Sequence, residues 1–182
     1  LRLLSLRFSP SLLRQSNRVY MFQRMKQLYR LSPLVKKGRP ISHPLQVPQI
    51  SGTPGWIFLT HDKNGVAHAM FSDASGDRQE NLPVVMDERV CCDTIFRTVR
   101  LSPRLFVIYD IVALNGTRIF ETLNFESRQQ RIADMLEMFH HPDLCAFIPV
   151  DKLPVGVIIR GYEQYDCFPG TLGVFVEHNP DV

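Results

Sequence analysis

The stretch Arg104-Leu-Phe-Val-Ile-Tyr-Asp-Ile-Val-Ala-Leu-Asn-Gly-Thr-Arg-Ile-Phe120 constrains the fold more than any other part of this chain. The apolar run Leu105 to Ile108 ends at Tyr109-Asp110, and Ile111 to Leu114 lead into Asn115-Gly116. Asn-Gly favours positive φ at both residues, the backbone geometry that reverses a strand. The stretch therefore predicts a buried strand, a tight turn and a returning strand.

A second reversal is predicted at Asn64-Gly65, between Trp56-Ile-Phe-Leu and Val66-Ala-His-Ala-Met-Phe, whose β-rich composition is that of a hairpin. On this reading Lys63 is a solvated turn lysine. Beyond Asn115-Gly116, Ile132 to Phe139 has the spacing of an amphipathic helix, with Ser127 as candidate cap and an end near His140-His141-Pro142. Adjacent histidines point to different faces of a helix and chelate a metal poorly. Cys91, Cys92, Cys145 and Cys167 have no C-x-x-C spacing, so neither zinc nor a disulfide framework is expected. Cys91 and Cys92 are expected within a buried strand, and reduced thiols place the chain inside the cell.

Charge is distributed unevenly. Residues 1–61 hold ten Lys or Arg and no acid, whereas residues 62–182 hold eleven basic and eighteen acidic side chains. The net charge of +3 thus conceals a +10 arm and a −7 body. Between Ser11 and Leu31 the residues Phe22, Met25, Leu28 and Leu31 recur every third position, giving one apolar helix face with Arg and Lys between. Three readings fit this arm: a mitochondrial transit peptide, a binding helix for RNA, an acidic partner or an import receptor, and sequence upstream of a start at Met21. Five prolines between Ser32 and Gly55 predict a linker or surface strap, so the boundary is placed between a 1–39 arm and a 40–182 domain. No stretch approaches the length of a membrane span.

The string from Arg104 to Arg128, with Asn124-Phe-Glu-Ser-Arg128 at its end, resembles the covalent nucleotidyltransferases: DNA ligases, RNA ligases and, most closely, mRNA capping guanylyltransferases. That family carries R-Y-L-x-[YF]-D, then N-G and a downstream S-x-R. The resemblance extends weakly over 40–180. It implies an α+β fold, an antiparallel-sheet nucleotidyltransferase domain of the ligase and capping type related to ATP-grasp, without the C-terminal oligonucleotide-binding barrel. The strap R-F-P-G-x-x-P-V that precedes the nucleophile strand in capping enzymes is loosely similar to Arg39-Pro-Ile-Ser-His-Pro-Leu45.

The reacting groups of that family are replaced. Gly52 stands at its nucleophilic lysine, within Gly52-Thr-Pro-Gly-Trp-Ile57, and Asp93-Thr94-Ile95 stands where L-D-G-E ends in a glutamate. Val155-Gly-Val-Ile-Ile-Arg160 has valine for the carboxylate of [ED]-G-[LV]-[VI]-[FI]-[KR]. Phe175 to Pro180 sets Glu177 and Asn179 where W-L-K-W-K-P has two lysines. Arg128 and Gly156 are 28 residues apart, a shorter gap than the family has, which removes strands that wall its nucleotide cleft. A lysine attacking an α-phosphate needs a metal held by carboxylates and cations that neutralise the leaving pyrophosphate. No catalytic residue, cofactor or metal is therefore expected.

The chain is also similar to the cap-binding domain of the snurportins, which resembles capping enzymes without their chemistry. The combined reading is a non-catalytic domain that binds a nucleotide or the 5′ cap of an RNA, in the nucleus or cytoplasm, or alternatively in mitochondria. Tyr109, Trp56, Asp93 and Arg160 are the candidate binding residues, with Tyr109 as the aromatic that stacks on the base. Two alternatives remain: an active guanylyltransferase or polynucleotide ligase, and a structural subunit of an RNA-processing or mitochondrial assembly.

Overall fold

A computed structural model describes residues 5–7 and 14–178. In chain order the elements are β1 (Ser5–Arg7), α1 (Gln15–Leu28), β2 (Val35–Lys37), β3 (Leu45–Ile50), β4 (Thr53–His61), β5 (Ala67–Asp73), β6 (Gln79–Asn81) and β7 (Val85–Asp87). A turn of 3₁₀ helix (Glu88–Val90) leads to β8 (Thr94–Ser102), β9 (Leu105–Leu114), β10 (Thr117–Arg118), α2 (Phe125–Phe139), β11 (His140–His141) and β12 (Ala146–Pro149). A second 3₁₀ turn (Val150–Lys152) precedes β13 (Ile159–Tyr165) and β14 (Gly173–Glu177). The architecture is mixed α+β with mostly antiparallel sheets and few helices.

The large sheet runs β10-β9-β8-β4-β5-β6, with β12 pairing in parallel along the first half of β9. Its central strands alternate cleanly. Ile57, Leu59, Phe96, Phe106 and Ile108 face α2, where Ile132, Met135 and Leu136 cover them. Trp56, Phe58, Met70 and Ile95 face the other way, against Met21, Phe22 and Met25 of α1. A third cluster, Ile50, Val99, Val107, Tyr109 and Val150, lies where a smaller sheet, β2-β14-β13-β3, packs on that same side. One face of the large sheet is therefore closed by α2, and the other is shared between α1 and the small sheet.

The turn chemistry predicted this frame at two points. Leu114 pairs with Thr117 across Asn115 (φ 48°) and Gly116 (φ 84°), a two-residue turn with both central residues left-handed. The β4–β5 hairpin also forms, but through a five-residue loop from Asp62 to Val66, closed by the Asp62 N–H donating to the Val66 carbonyl. Opposite β8, strand β9 carries an extra residue at Tyr109 and another at Val112, so its side chains change face without leaving the sheet.

Several expectations are corrected. The helix begins at Phe125 rather than Ile132, and its cap is Asn124, whose side chain accepts from the Ser127 N–H. Ser127 lies within the first turn. Val90, Cys91 and Cys92 precede β8 rather than forming part of it, which leaves Cys91 buried and Cys92 exposed. Ser32 to Gly55 is neither linker nor strap: it buries Leu34 and contributes β2 and β3. Pro48 is tolerated because β3 is an edge strand. The 39/40 boundary falls in the largely exposed segment between these two strands. Val155 to Ile158 forms an exposed turn rather than a strand.

Candidate functional site

The motif that carries the family resemblance builds the frame rather than a site. Asp110 is fully buried and accepts from Nε and Nη2 of Arg128 at 2.7 and 3.2 Å. Arg128 reaches it from α2 and also donates to the Leu123 carbonyl at 2.7 Å. The Asn115 side chain joins the β9–β10 turn to the segment before β8, donating to the Arg89 carbonyl and accepting from the Cys92 N–H. The S-x-R arginine and the motif aspartate thus clip α2 to β9. An ion pair this deeply buried needs both partners, since either alone is an uncompensated charge.

Tyr109, the expected stacking residue, is buried with 0% of its surface exposed. Its hydroxyl donates to the Pro48 carbonyl at 2.7 Å and accepts from the Ile50 N–H at 3.2 Å, and burial raises the phenol. The Arg97 guanidinium lies 5.1 Å from the ring centroid. The structure therefore places Tyr109 as a tie between the two sheets, with no ring face open to a base. Asp93 is also elsewhere. It sits beneath α1 with left-handed φ of 67°, and accepts from the Tyr29 hydroxyl at 2.6 Å, from the Thr60 hydroxyl, and from Arg24 at 3.4 Å.

Trp56 and Arg160 do come together. Both line a cleft of about 440 Å³ where α1, the large sheet and the small sheet meet. Lys26 of α1, Lys36 and Lys37 of β2, and Arg160 at the start of β13 are exposed around it, and none of the four makes an ion pair among the described residues. Trp56 (8% exposed), Phe22 and the partly buried Phe175 supply aromatic walls. No carboxylate belongs to the lining.

The fifth cation, Arg97, is spoken for. It donates to Glu163 of β13 at 2.7 and 2.5 Å, and Glu163 also accepts from Tyr165 at 2.6 Å and from Gln49 at 2.9 Å. Burial pushes the Glu163 carboxyl up, but the Arg97 charge and these hydrogen bonds outweigh it and hold the group below the ordinary carboxylate range. This network fixes the small sheet against β8 at the back of the cleft.

The remaining motif positions bear on chemistry. A Cβ on Gly52 would meet the Arg100 carbonyl oxygen and a Val99 methyl at 2.6 Å, so this position admits no side chain. Lys63 is at the far end of β4, on a different cavity. Val155 is fully exposed on its turn, Ile95 is core, Glu177 is exposed, and Asn179 lies outside the described residues. Among the described residues no group of three or more His, Cys, Asp or Glu is placed to hold a metal ion.

Sequence reasoning did not find Lys26, Lys36, Lys37 and Glu163. The acid-free first third of the chain was the signal for the lysines; Glu163 gave none. Among the described residues no helix is long and apolar enough to cross a membrane. Neither a protein-family model nor a curated protein matches this chain.

Proposed function

We propose that this protein is a non-catalytic nucleotide-binding domain of the ligase and capping-enzyme type, whose ligand is a nucleotide or the 5′ cap of an RNA. The observation that carries this reading is the cleft at the sheet junction: four cations that make no ion pair among the described residues, aromatic walls and no lining carboxylate. Like charges gathered on one concavity repel one another, and a phosphate group bound among them removes that repulsion while forming charge-assisted hydrogen bonds. The volume of about 440 Å³ is in the range of small-molecule sites. Trp56 and Phe175 offer apolar surface to a base or sugar, and Arg160, Lys36 and Lys37 take the phosphates.

Two observations support the non-catalytic part of this reading. Gly52 cannot be replaced by a nucleophile, and the lining holds no carboxylate to position a metal beside an α-phosphate.

Equilibrium binding of GTP and of a methylated guanosine cap analogue tests the reading. Arg160→Ala and the pair Lys36→Ala with Lys37→Ala should each weaken binding about tenfold or more, the loss of a charged hydrogen bond of about 1.5 to 3 kcal/mol. Affinity unchanged in all of them would remove the cleft as the site. Radiolabelled GTP with magnesium should leave no label after denaturation; a label that survives, and that Lys63→Ala abolishes, would show an active transferase instead.

A further inference from the structure

The cleft at the sheet junction offers a ligand many charges and few fixed hydrogen-bond acceptors. Lys26, Lys36, Lys37 and Arg160 reach it from α1, β2 and β13, all exposed and none in an ion pair among the described residues. Lys37 stands opposite Phe175 in the parallel β2–β14 pair, which puts a cation beside the aromatic wall. Arg97 is neutralised by Glu163 behind the lining. The uncharged polar side chains of the lining are Ser32, Gln49 and Thr98. Two of them are committed to the frame: the Gln49 amide nitrogen donates to Glu163 at 2.9 Å, and the Thr98 hydroxyl donates to the Val107 carbonyl at 2.7 Å.

Selection of one base over another needs fixed acceptors opposite its N–H groups, and a carboxylate is the strongest of these. The lining has no carboxylate, and its apolar walls, Phe22, Trp56 and Phe175, meet the face of any base alike. The charges favour a longer ligand than a monophosphate. One phosphate monoester brings about −1.5 to −2 charge at pH 7, too little to answer four cations. Each further phosphate in a chain brings more charge and more oxygens to the next cation. Magnesium bound to such a chain cancels part of that charge and takes the same oxygens, and no carboxylate of the lining holds the metal in return.

We propose that the cleft selects the phosphate chain of its ligand, a triphosphate or longer and free of metal, and is indifferent to the base. This rests on the reading of the cleft as the nucleotide site. A nucleoside triphosphate and inorganic polyphosphate share the recognised chemistry, and the lysines compete with magnesium for it.

Calorimetric titration of the full chain at fixed ionic strength, in EDTA or in magnesium, tests this with tripolyphosphate, GTP, ATP, GMP and guanosine. In EDTA, GTP and ATP should bind within about threefold of each other, and each about tenfold or more tightly than GMP, the equivalent of at least one charged hydrogen bond. Tripolyphosphate should bind and guanosine should not; tripolyphosphate much weaker than GTP would show that the nucleoside is needed for affinity and overturn indifference to it. Magnesium should weaken GTP binding, and Lys37→Ala and Arg160→Ala should each narrow the gap between GTP and GMP. If none of the five ligands binds, the nucleotide reading of the cleft falls and the proposal with it. If GTP binds and Arg160→Ala weakens it, the cleft stands as the site. In that case GMP as tight as GTP, GTP about tenfold or more tighter than ATP, or affinity strengthened by magnesium overturns selection of the phosphate chain alone. Tripolyphosphate affinity unchanged in folded Lys37→Ala and Arg160→Ala would place the polyanion on another surface and overturn it as well.

Discussion

Tyr109 and Asp110 are neighbours in β9 and face opposite ways, as successive residues of a strand do. Asp110 turns to α2 and Arg128; Tyr109 turns to the small sheet and binds both Pro48 and Ile50 through its hydroxyl. Tyr109→Phe keeps the ring and strands a buried carbonyl and N–H, so it should destabilise the protein by about 1 to 3 kcal/mol in urea unfolding. Glu163 makes a pH-dependent contribution. Its carboxyl is held low in the folded state, so the stability it supplies is complete above the unfolded glutamate value of about 4.3 and is lost as pH falls through the lower folded value. Thermal melts between pH 7 and 3 should show Glu163→Gln less stable than wild type at pH 7, where Arg97 loses its counter-charge, and less sensitive to acid. Equal acid sensitivity in the two proteins would contradict this account of the pair.

At the scale of elements, the local signals were legible in the sequence and the non-local ones were not. Asn115-Gly116 specifies its own turn, and the alternation of apolar residues specifies β4, β5 and β9, because both are encoded within a few residues. The start of α2 was missed because Arg128, a charged residue on the buried face between Phe125 and Ile132, interrupts the apolar stripe. Phe125 stacks on Tyr165 with centroids 3.6 Å apart, and Arg128 turns its charge inward to Asp110, contacts that join positions far apart in the chain. The same limit applies to Tyr109. Its aromatic character was visible, but β3 and the other segments that bury it lie far away in the chain. The basic arm was read as separable because its charges dominate its composition, whereas Met21, Phe22 and Met25 dock it. Deletion of residues 1–39 removes α1 and β2 and uncovers Trp56, Phe58 and Met70, so the truncated chain should lose its cooperative thermal transition. A sharp melt near that of the full chain would show that α1 is an accessory. Asn124→Ala, which leaves the Ser127 N–H without its cap, should cost about 1 kcal/mol in the same assay.

Across the whole molecule, α1 and the small sheet divide one face of the large sheet, and the cleft is the space left at their junction. Its character follows from the uneven charge distribution: the acid-free first third of the chain supplies Lys26, Lys36 and Lys37 to one rim, and β13 supplies Arg160 to the other. The ties behind the cleft, Arg97 to Glu163 and Tyr109 to β3, hold the two sheets in register, so the site is formed before any ligand arrives. Trp56, the sole tryptophan of the chain, lies in the cleft wall and reports on it directly. Titration with a methylated guanosine triphosphate cap analogue should change its emission saturably, and the Lys36→Ala, Lys37→Ala pair should shift that curve about tenfold or more to higher ligand concentration. Emission that stays unchanged through millimolar ligand in the wild-type protein would contradict a nucleotide site between the sheets.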